Sequence, residues 1–317
     1  MRILLAGATG AVGRSLLPLL VAAGHQVAGT TRAAEKTDLI RRLGGEPLVM
    51  DGLDGASVQR AVRSARPDAV IHQMTGLSGM SDLRNFDRTF AVTNRLRTEG
   101  TDRLLSAAGD AGVTRFIAQS FCGWPFARAG GPVKTESDPL DSTPPRALRR
   151  SLDALRHVEE AVAHASGLAG IVLRYGAFYG PDTGFFESAA IEQVAQRRVP
   201  LIGDGNGWWS FIHIEDAAAA TVLAVERGAA GTLYNIVDDE PAPVREWLPA
   251  LAAALGARPP RRVPAWLARF LAGGHLVVMM TQARAGSNAR AKRELGWRPR
   301  HPSWRQGFSE VARAIRA

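Results

Sequence analysis

Three glycines follow the first apolar segment of the chain at a regular spacing. After Arg2–Ala6 come Gly7, Gly10 and Gly13, and an apolar helical pattern begins at Val12. A glycine-rich turn between a strand and a helix presents backbone N–H groups and the positive end of the helix to a phosphate. The turn therefore predicts a pyrophosphate-binding site, although a tight strand-to-helix turn without a ligand has the same pattern.

The end of the second predicted strand indicates which nucleotide would occupy that site. Thr31 and Arg32 follow the turn at the distance, about 20 residues, where a dinucleotide fold places the group that contacts the adenosine ribose. A carboxylate at this point binds the ribose hydroxyls, whereas a guanidinium accommodates a 2′-phosphate. Glu35 is the competing carboxylate, but it falls in the following loop. We therefore expect NADPH to be preferred over NADH.

The elements that must position these residues alternate between strands and helices. The predicted strands are 2–6, 26–30, 47–50, 69–72, 115–119 and 170–174, and the predicted helices between them are 12–23, 36–43, 54–64, 92–111 and 149–166. Short apolar strands separated by helices favour a doubly wound parallel sheet with right-handed crossovers. We expect an α/β, Rossmann-type fold with its ligand site at the carboxyl ends of the strands.

The pattern changes in the second half of the chain, where the elements become shorter and richer in aromatic residues and proline. We expect an NAD(P)-binding Rossmann domain over 1–173 and a smaller, mostly helical substrate-binding region over 174–317, with segment 208–237 returning to the sheet. The Pro- and Gly-rich stretch 124–147 is too long for a simple connection and suits an ordered loop beside the pocket. Segment 263–286 has the pattern of either a lid or a buried helix pair.

Composition excludes several classes of protein. Of the 317 residues, 46% are hydrophobic and 22% charged, and no apolar run has the length of a membrane span or of a signal peptide. The net charge is +9, but the arginines are scattered, so we expect no nucleic-acid partner. A single cysteine, Cys122, forms no internal disulfide and no Cys-rich metal site. We expect a cytoplasmic monomer or homodimer with a small-molecule substrate, no metal and no membrane partner.

Six short motifs occur in a characteristic order along nearly the full chain. They are the glycine turn, Asn94 with Gly100–Thr101, the run from Leu173 to Pro181, Phe211–Ala217, Tyr234–Ile236, and Glu294 to Pro299. Together they resemble the extended branch of the short-chain dehydrogenase/reductase family, which includes NAD(P)-dependent epimerases and dehydratases. The resemblance implies a Rossmann fold, oxidoreductase activity and a set of cofactor-binding residues. That set is Gly7, Thr9, Gly10, Ala11, Val12, Gly13, Thr31, Arg32, Asp51, Gly52, Leu53, Gln73, Met74, Asn94 and Tyr175.

The proton-transfer pair of that family is missing. Its members usually carry Tyr-x-x-x-Lys on the helix after the fifth strand, where the lysine lowers the pKa of the phenol that passes a proton to the substrate. Aligning the family's helix glutamate with Glu159 places Ser151 and Leu155 at those positions, and aligning it with Glu160 does not restore the pair. At the end of the fifth strand, Ser120 is the best candidate for a polar contact with the reacting group.

The absence of the pair constrains the substrate. A positioned acid contributes about 100- to 10,000-fold, while orientation of two bound reactants contributes on the order of 7 to 11 kcal/mol, so hydride transfer does not require the pair. A ketone beside a phenol stabilises its own developing alkoxide. Several aromatic side chains are expected to contact a flat ring system: Phe121, Trp124, Phe186 and Trp209.

The predicted function follows from these points. We expect an NADPH-dependent ketoreductase similar to the atypical family members that tailor aromatic polyketide or antibiotic-type substrates. A sugar-nucleotide epimerase or dehydratase is one alternative, but that chemistry depends on the missing tyrosine. A non-catalytic NADP(H)-sensing protein is the second alternative, and the missing pair fits it well.

Overall fold

A computed structural model describes residues 1–77 and 85–316. In chain order, the strands within these residues are β1 (Arg2–Ala6), β2 (Gln26–Thr31), β3 (Glu46–Val49), β4 (Ala69–His72), β5 (Arg115–Phe121), β6 (Val133–Lys134), β7 (Ala169–Tyr175), β8 (Ala177–Tyr179), β9 (Leu201–Ile202), β10 (Trp208–Trp209), β11 (Phe211–His213), β12 (Thr232–Ile236), β13 (Ala242–Pro243), β14 (Arg262–Val263) and β15 (Ala285–Gly286).

The helices of the same residues, in chain order, are α1 (Ala11–Ala22), α2 (Thr37–Arg42), α3 (Gly55–Ala65), α4 (Phe86–Thr89), α5 (Ala91–Arg95), α6 (Thr101–Asp110), α7 (Arg146–Ala163), α8 (Ser188–Ala195), α9 (Ile214–Arg227), α10 (Val244–Ala254), α11 (Ala265–Ala272), α12 (Gly274–Thr281), α13 (Ala289–Leu295) and α14 (Trp304–Arg316). Among the described helices, none combines the length and the apolar character needed to cross a bilayer.

Seven strands form one parallel sheet in the order β12-β7-β5-β4-β1-β2-β3. The first strand is central, because Leu4 pairs with Ala28 on one side and with Val70 on the other. The chain therefore runs outward from β1 in both directions, and the order reverses between β1 and β4. The prediction of an α/β, Rossmann-type doubly wound sheet is confirmed. In such sheets ligands bind outside the carboxyl ends of the strands at the point of reversal.

Alternating strand residues bury opposite faces of the sheet, as the period of two requires. Ile3 and Leu5 belong to a core formed with α1 and α9, whereas Leu4 belongs to a core formed with α3, α6 and α7. A third core joins the C-terminal helices to β11, with Trp247 and Phe308 fully buried in it. The two helical layers hold the sheet rigid, and the carboxyl ends of β1 and β4 are thereby fixed relative to each other.

The edge strand β12 carries side-chain partners along its outer side. The Asn235 backbone N–H donates to Glu136 Oε1 at 2.8 Å, and Arg290 Nη1 donates to the Leu233 carbonyl at 3.4 Å. Glu136 belongs to the long loop 124–147, which was predicted to be ordered beside the pocket. The inner side of β12 pairs with β7 in parallel.

The predicted helix 92–111 is interrupted in the structure. Residues Leu96–Gly100 form a π-helical turn between α5 and α6. Arg97, on this turn, is only 8% exposed, and a Cβ added to Gly100 would lie 3.5 Å from the Gly52 carbonyl oxygen. The wider turn lies where the helix approaches the loop after β3 and where a charged side chain enters the interior. Single π-helical turns of this kind are frequent at functional sites.

Candidate active site

The glycine turn is as tight as its spacing predicts. Gly7 has a φ of +92°, and a Cβ there would lie 2.9 Å from the carbonyl carbon of Gln73. A Cβ on Gly13 would lie 2.3 Å from the Gly7 carbonyl oxygen. Helix α1 begins at Ala11 without a side-chain cap, so its first N–H groups are available to an anion. The turn is thus packed against its own backbone at Gly7 and Gly13, whereas a Cβ on Gly10 would meet only the Gly7 carbonyl oxygen within 4 Å, so the space beside Gly10 and the first N–H groups of α1 fits a bound pyrophosphate.

Two threonines of β2 form hydrogen bonds with residues of this turn, and the next residue, Arg32, carries a positive charge beside it. Thr30 Oγ1 accepts the Gly7 backbone N–H at 3.2 Å, and Thr9 Oγ1 donates to Thr31 Oγ1 at 3.4 Å. Arg32 follows β2, is exposed, and makes no hydrogen bond or ion pair with the described residues. Its guanidinium is therefore available to a phosphate. Glu35 lies in the next helical turn and is also exposed.

Among the buried amide oxygens that lack hydrogen-bond partners within the described residues, one lies just after β4 and one lies on α5. Gln73 Nε2 donates to the Tyr175 hydroxyl at 3.1 Å, but Gln73 Oε1 is unpaired. Asn94 Nδ2 donates to Ser151 Oγ at 3.0 Å, but Asn94 Oδ1 is unpaired. Because an orphaned buried acceptor costs free energy, such atoms indicate a missing donor. A ligand with N–H or O–H groups would supply one, and the ribose and carboxamide groups of a nicotinamide nucleotide have both.

Tyr175 is held as a neutral phenol. Its hydroxyl also contacts Thr221 Oγ1 at 2.7 Å, and burial raises the pKa of Tyr175 to about 12. The Tyr175 side chain therefore fixes the orientation of the Gln73 amide and lies buried beneath the nucleotide site. With a pKa this high and no lysine beside it, Tyr175 is a poor proton donor at neutral pH.

Three of the predicted cofactor-binding residues, Asp51, Gly52 and Leu53, lie together after β3. Asp51 Oδ1 accepts the Leu53 N–H at 2.9 Å, which forms a local turn, and Oδ2 has no hydrogen bond to the described residues. A Cβ on Gly52 would lie 2.6 Å from Met74 Cε, so this loop packs directly against Met74, two residues beyond the end of β4. Asp51 thus shapes the turn with one carboxylate oxygen and has the other available to a ligand donor.

At the positions of the missing pair, α7 presents small and apolar groups. Glu159 is buried and Glu160 exposed, so the inward-facing register is the one that places Ser151 and Leu155 at those positions. Ser151 is 0% exposed and accepts the hydrogen bond from Asn94. The only ionisable side chain nearby on α7 that faces inward is therefore a carboxylate.

Ser120 is engaged with that carboxylate. Its hydroxyl donates to Glu159 Oε1 at 2.6 Å, and Arg174 donates to both oxygens of Glu159 at 2.7 and 2.6 Å. All three side chains are buried. The proton of Ser120 is therefore committed to Glu159, and only the lone pairs of its oxygen remain for another partner. The role of Ser120 as a substrate contact stays a prediction.

Sequence reasoning missed this buried ion pair and a third charge beside it. Burial lowers the pKa of Arg97 to about 10, and the charge of Glu159 opposes that shift. A signal for the ion pair was present in the sequence, since Arg174 interrupts the apolar run of β7 and Glu159 falls on the apolar face of α7.

Two other polar residues of α7 lie away from the site. His157 Nε2 lies 2.7 Å from Asp102 Oδ1 at the surface, and Arg156 donates to a loop carbonyl.

Three of the four predicted substrate contacts line one pocket. Phe121, Trp124 and Trp209 line a small pocket that opens partly to solvent. The Trp209 indole N–H donates to the Met279 carbonyl at 2.9 Å, which ties the pocket to α12. This pocket presents flat apolar surfaces, as an aromatic ligand requires.

Phe186 does not belong to this pocket. It is 1% exposed and packs against Phe308 of α14 with ring centroids 5.5 Å apart. Its role as a substrate contact stays a prediction, which this packing does not support. An aromatic side chain of this size is buried by the C-terminal core, and its position in the sequence does not distinguish that core from the pocket.

The turn, the orphaned amides and the position at the reversal of strand order are those of a dinucleotide-binding Rossmann protein. A family model described as the NAD dependent epimerase/dehydratase family matches residues 3–237. The chain belongs to this family, as the resemblance of its motifs predicted.

Three comparisons give more detail. The chain is 44% identical over 312 residues to a 3-diazoavenalumate denitrifying reductase of Streptomyces sp, covering 97% of this chain and 99% of that protein. It is 25% identical to a 4-hydroxy-2-methyl-3-oxo-4-farnesyl-3,4-dihydroquinoline-1-oxide ketoreductase of Stigmatella aurantiaca, covering 81% and 74% of the two chains. A UDP-glucose 4-epimerase of Thermus thermophilus, solved in complex with NAD, superimposes with a TM-score of 0.74 at 23% identity, covering 100% and 99%. Family and named reductase relatives identify the chain as an NAD(P)-dependent oxidoreductase.

Proposed function

We propose that this protein is an NADPH-dependent reductase that delivers hydride to an aromatic small molecule without a proton donor from α7. The observation that carries the proposal is the inward face of α7, where Ser151 and Leu155 replace a phenol and an amine. NADPH, when bound, supplies the hydride. The residues of the chain bind it at the glycine turn, orient it through Gln73 and Asn94, and hold the substrate between Phe121 and Trp209.

The expected NADPH preference rests on Arg32. Its exposed guanidinium lies immediately after β2 and is unpaired among the described residues, so a 2′-phosphate would supply its counter-charge. The loop carboxylate Glu35 is the rival group. Thr31, whose hydroxyl accepts the Ala33 N–H at 3.2 Å, shapes the same rim.

An aryl diazo compound is the substrate class that best suits such a site. When an aryl diazonium group is replaced by hydrogen, the carbon takes up one hydride, the C–N bond breaks and N₂ leaves with the bonding electrons. The ring is reduced by two electrons, NADPH is oxidised to NADP⁺, and no proton is added. A site without an acid is sufficient for this reaction. The relative at 44% identity, named as a denitrifying reductase of a diazo compound, supports this class.

The ketone predicted from the sequence is the second candidate. Reduction of a ketone to an alcohol consumes one hydride and one proton, and here an internal phenol of the substrate would supply the proton. The ketoreductase relative at 25% identity supports this candidate. The aromatic pocket suits both substrates, so the pocket alone does not choose between them.

One experiment distinguishes the candidates. The purified protein is incubated with NADPH deuterated at the transferred position and with either a hydroxyaryl diazonium compound or the matching hydroxyaryl ketone. We expect NADPH oxidation with release of one N₂ per turnover and deuterium on the aryl carbon. Deuterium on a carbinol carbon would favour the ketone instead. Tight NADPH binding without turnover of either compound would contradict both candidates and support a sensor.

A further inference from the structure

Helix α11 exposes three large apolar side chains. Trp266 is 73% exposed, Phe270 is 86% exposed and Leu271 is 61% exposed. Trp266 and Phe270 are four residues apart and therefore lie on the same side of the helix. Ala268 is buried and attaches the opposite side of the helix to the C-terminal core. Exposed apolar groups this closely spaced mark an interaction surface.

Arginines without partners among the described residues lie on α11 and in the segment just before it. Arg269 is on α11 itself, and Arg261 and Arg262 precede the helix by a few residues. All three are exposed, and their side chains make no hydrogen bond or ion pair with the described residues. No aspartate or glutamate occurs between Glu246 and Glu294. We call Trp266, Phe270, Leu271, Arg261, Arg262 and Arg269 the basic aromatic face.

A second copy of the chain is a poor occupant of this face. Two such faces would bring like charges together, and the whole chain carries a net charge of +9. A folded protein partner is also disfavoured by area. Full coverage of three large side chains buries on the order of 500 Å², whereas a stable protein interface needs about 800 Å² per partner.

We propose that the basic aromatic face binds the surface of an anionic lipid bilayer. A short amphipathic helix needs only its apolar side chains in the headgroup boundary and its cations against lipid phosphates. Tryptophan and phenylalanine with adjacent arginines are typical of this arrangement. The chain would lie on the membrane without crossing it, which departs from the sequence-based expectation of no membrane partner.

The face belongs to the segment that borders the aromatic pocket. Gly273 joins α11 to α12, and the Met279 carbonyl of α12 accepts the indole N–H of Trp209. Membrane contact at α11 would therefore hold the pocket near the bilayer, where apolar aromatic compounds concentrate.

Vesicle flotation with the full chain tests the proposal. Phosphatidylcholine vesicles are compared with vesicles that also contain phosphatidylglycerol, at low and high salt. We expect binding only to the anionic vesicles, weakened by salt. Because each arginine near an anionic surface contributes about fivefold, Arg261→Ala with Arg262→Ala should weaken binding roughly 25-fold. Trp266→Ser with Phe270→Ser should abolish binding even at low salt.

A matched control separates this face from the overall positive charge. Arg60 and Arg63 are exposed on α3, which packs against the sheet beside α6, and their replacement by alanine removes the same charge. Equal loss of binding in Arg60→Ala with Arg63→Ala would overturn the proposal, as would no flotation at low salt. Ultracentrifugation that showed dimers lost in the Trp266→Ser with Phe270→Ser variant would overturn it in favour of a second copy. Unchanged NADPH binding in every variant shows that the fold is intact.

Discussion

Three charged side chains beneath the site are deeply buried, and the two cations among them share one carboxylate. Glu159 is the carboxylate that faces two buried guanidinium groups, Arg97 and Arg174, so the cluster carries more positive than negative charge. Removing one partner from a buried ion pair leaves the other charge uncompensated, which is far more costly than the net contribution of the pair suggests. Glu159 therefore stabilises the region beneath the pocket, and Glu136 adds a second negative charge near Arg174.

The first prediction concerns that carboxylate. Glu159→Gln should lower the free energy of unfolding by about 3 to 5 kcal/mol, because two buried cations lose their counter-charge. Urea denaturation measures the change. Glu160→Gln, one residue along on the exposed side of α7, is the control and should change stability by less than about 0.5 kcal/mol. Equal effects of the two variants would show that the pair is not buried as described.

The second prediction concerns the cofactor. Arg32→Ala should weaken NADPH binding by roughly 10- to 100-fold, since a charge-assisted hydrogen bond contributes about 1.5 to 3 kcal/mol, and should leave NADH binding nearly unchanged. Fluorescence titration with both nucleotides measures the ratio. Lys36→Ala removes one nearby exposed cation and is the control. If the preference between nucleotides does not move, the 2′-phosphate assignment is wrong.

At the scale of elements, the strand, turn and helix from β1 to α1 act as one unit. The turn closes only because no side chain stands between Gly13 and the Gly7 carbonyl. Any group there displaces the start of α1, and with it the N–H groups that would bind the pyrophosphate.

The third prediction tests this unit. Gly13→Ala places a Cβ 2.3 Å from the Gly7 oxygen, so we expect at least a tenfold loss of nucleotide affinity and a lower melting temperature. Gly10→Ala is the matched control for stability, because its Cβ would lie 3.3 Å from the same oxygen and needs only a small adjustment. Calorimetric titration measures the affinity of Gly13→Ala for the nucleotide, and thermal denaturation compares the two variants. An equal fall in the melting temperature of the two variants would argue against the steric explanation.

The sequence predicted the sheet well and the interior of the site poorly, for physical reasons. Strands and helices near the glycine turn follow from local periodicity, which the chain displays residue by residue. Interactions between distant segments have no such local signal. The bond from Ser120 to Glu159, the burial of Arg97 and the packing of Phe186 against Phe308 each depend on tertiary contacts that spacing along the chain does not encode.

At the scale of the whole molecule, stability should depend on pH through buried imidazoles. Burial lowers the pKa of His72 to about 4, while Nε2 donates to the Leu96 carbonyl and Nδ1 accepts the Met74 N–H. Burial also lowers the pKa of His213. The unfolded chain therefore binds more protons than the folded chain as the pH falls below about 6.5.

The fourth prediction follows from the greater proton binding of the unfolded chain at low pH. The contribution of neutral His72 to the free energy of unfolding is fully present above about pH 6.5. It is lost as the pH falls toward 4, and the total loss is up to about 3 kcal/mol. The free energy of unfolding, measured by urea denaturation between pH 7 and 5, should fall more steeply in the wild type than in His72→Asn. His157→Asn, at the surface, should retain the wild-type slope. A slope unchanged in His72→Asn would contradict the assignment.

The outer side of β12 has a consequence for the behaviour of the protein at high concentration. A parallel sheet that ends in an unpaired strand offers a template on which another chain can add a strand, the first step of aggregation. Here the Glu136 carboxylate accepts a hydrogen bond from the outward N–H of Asn235, and Arg290 donates one to the carbonyl of Leu233. The loop that borders the pocket thus also protects the sheet edge, and loss of the Glu136 carboxylate would open that edge to intermolecular pairing.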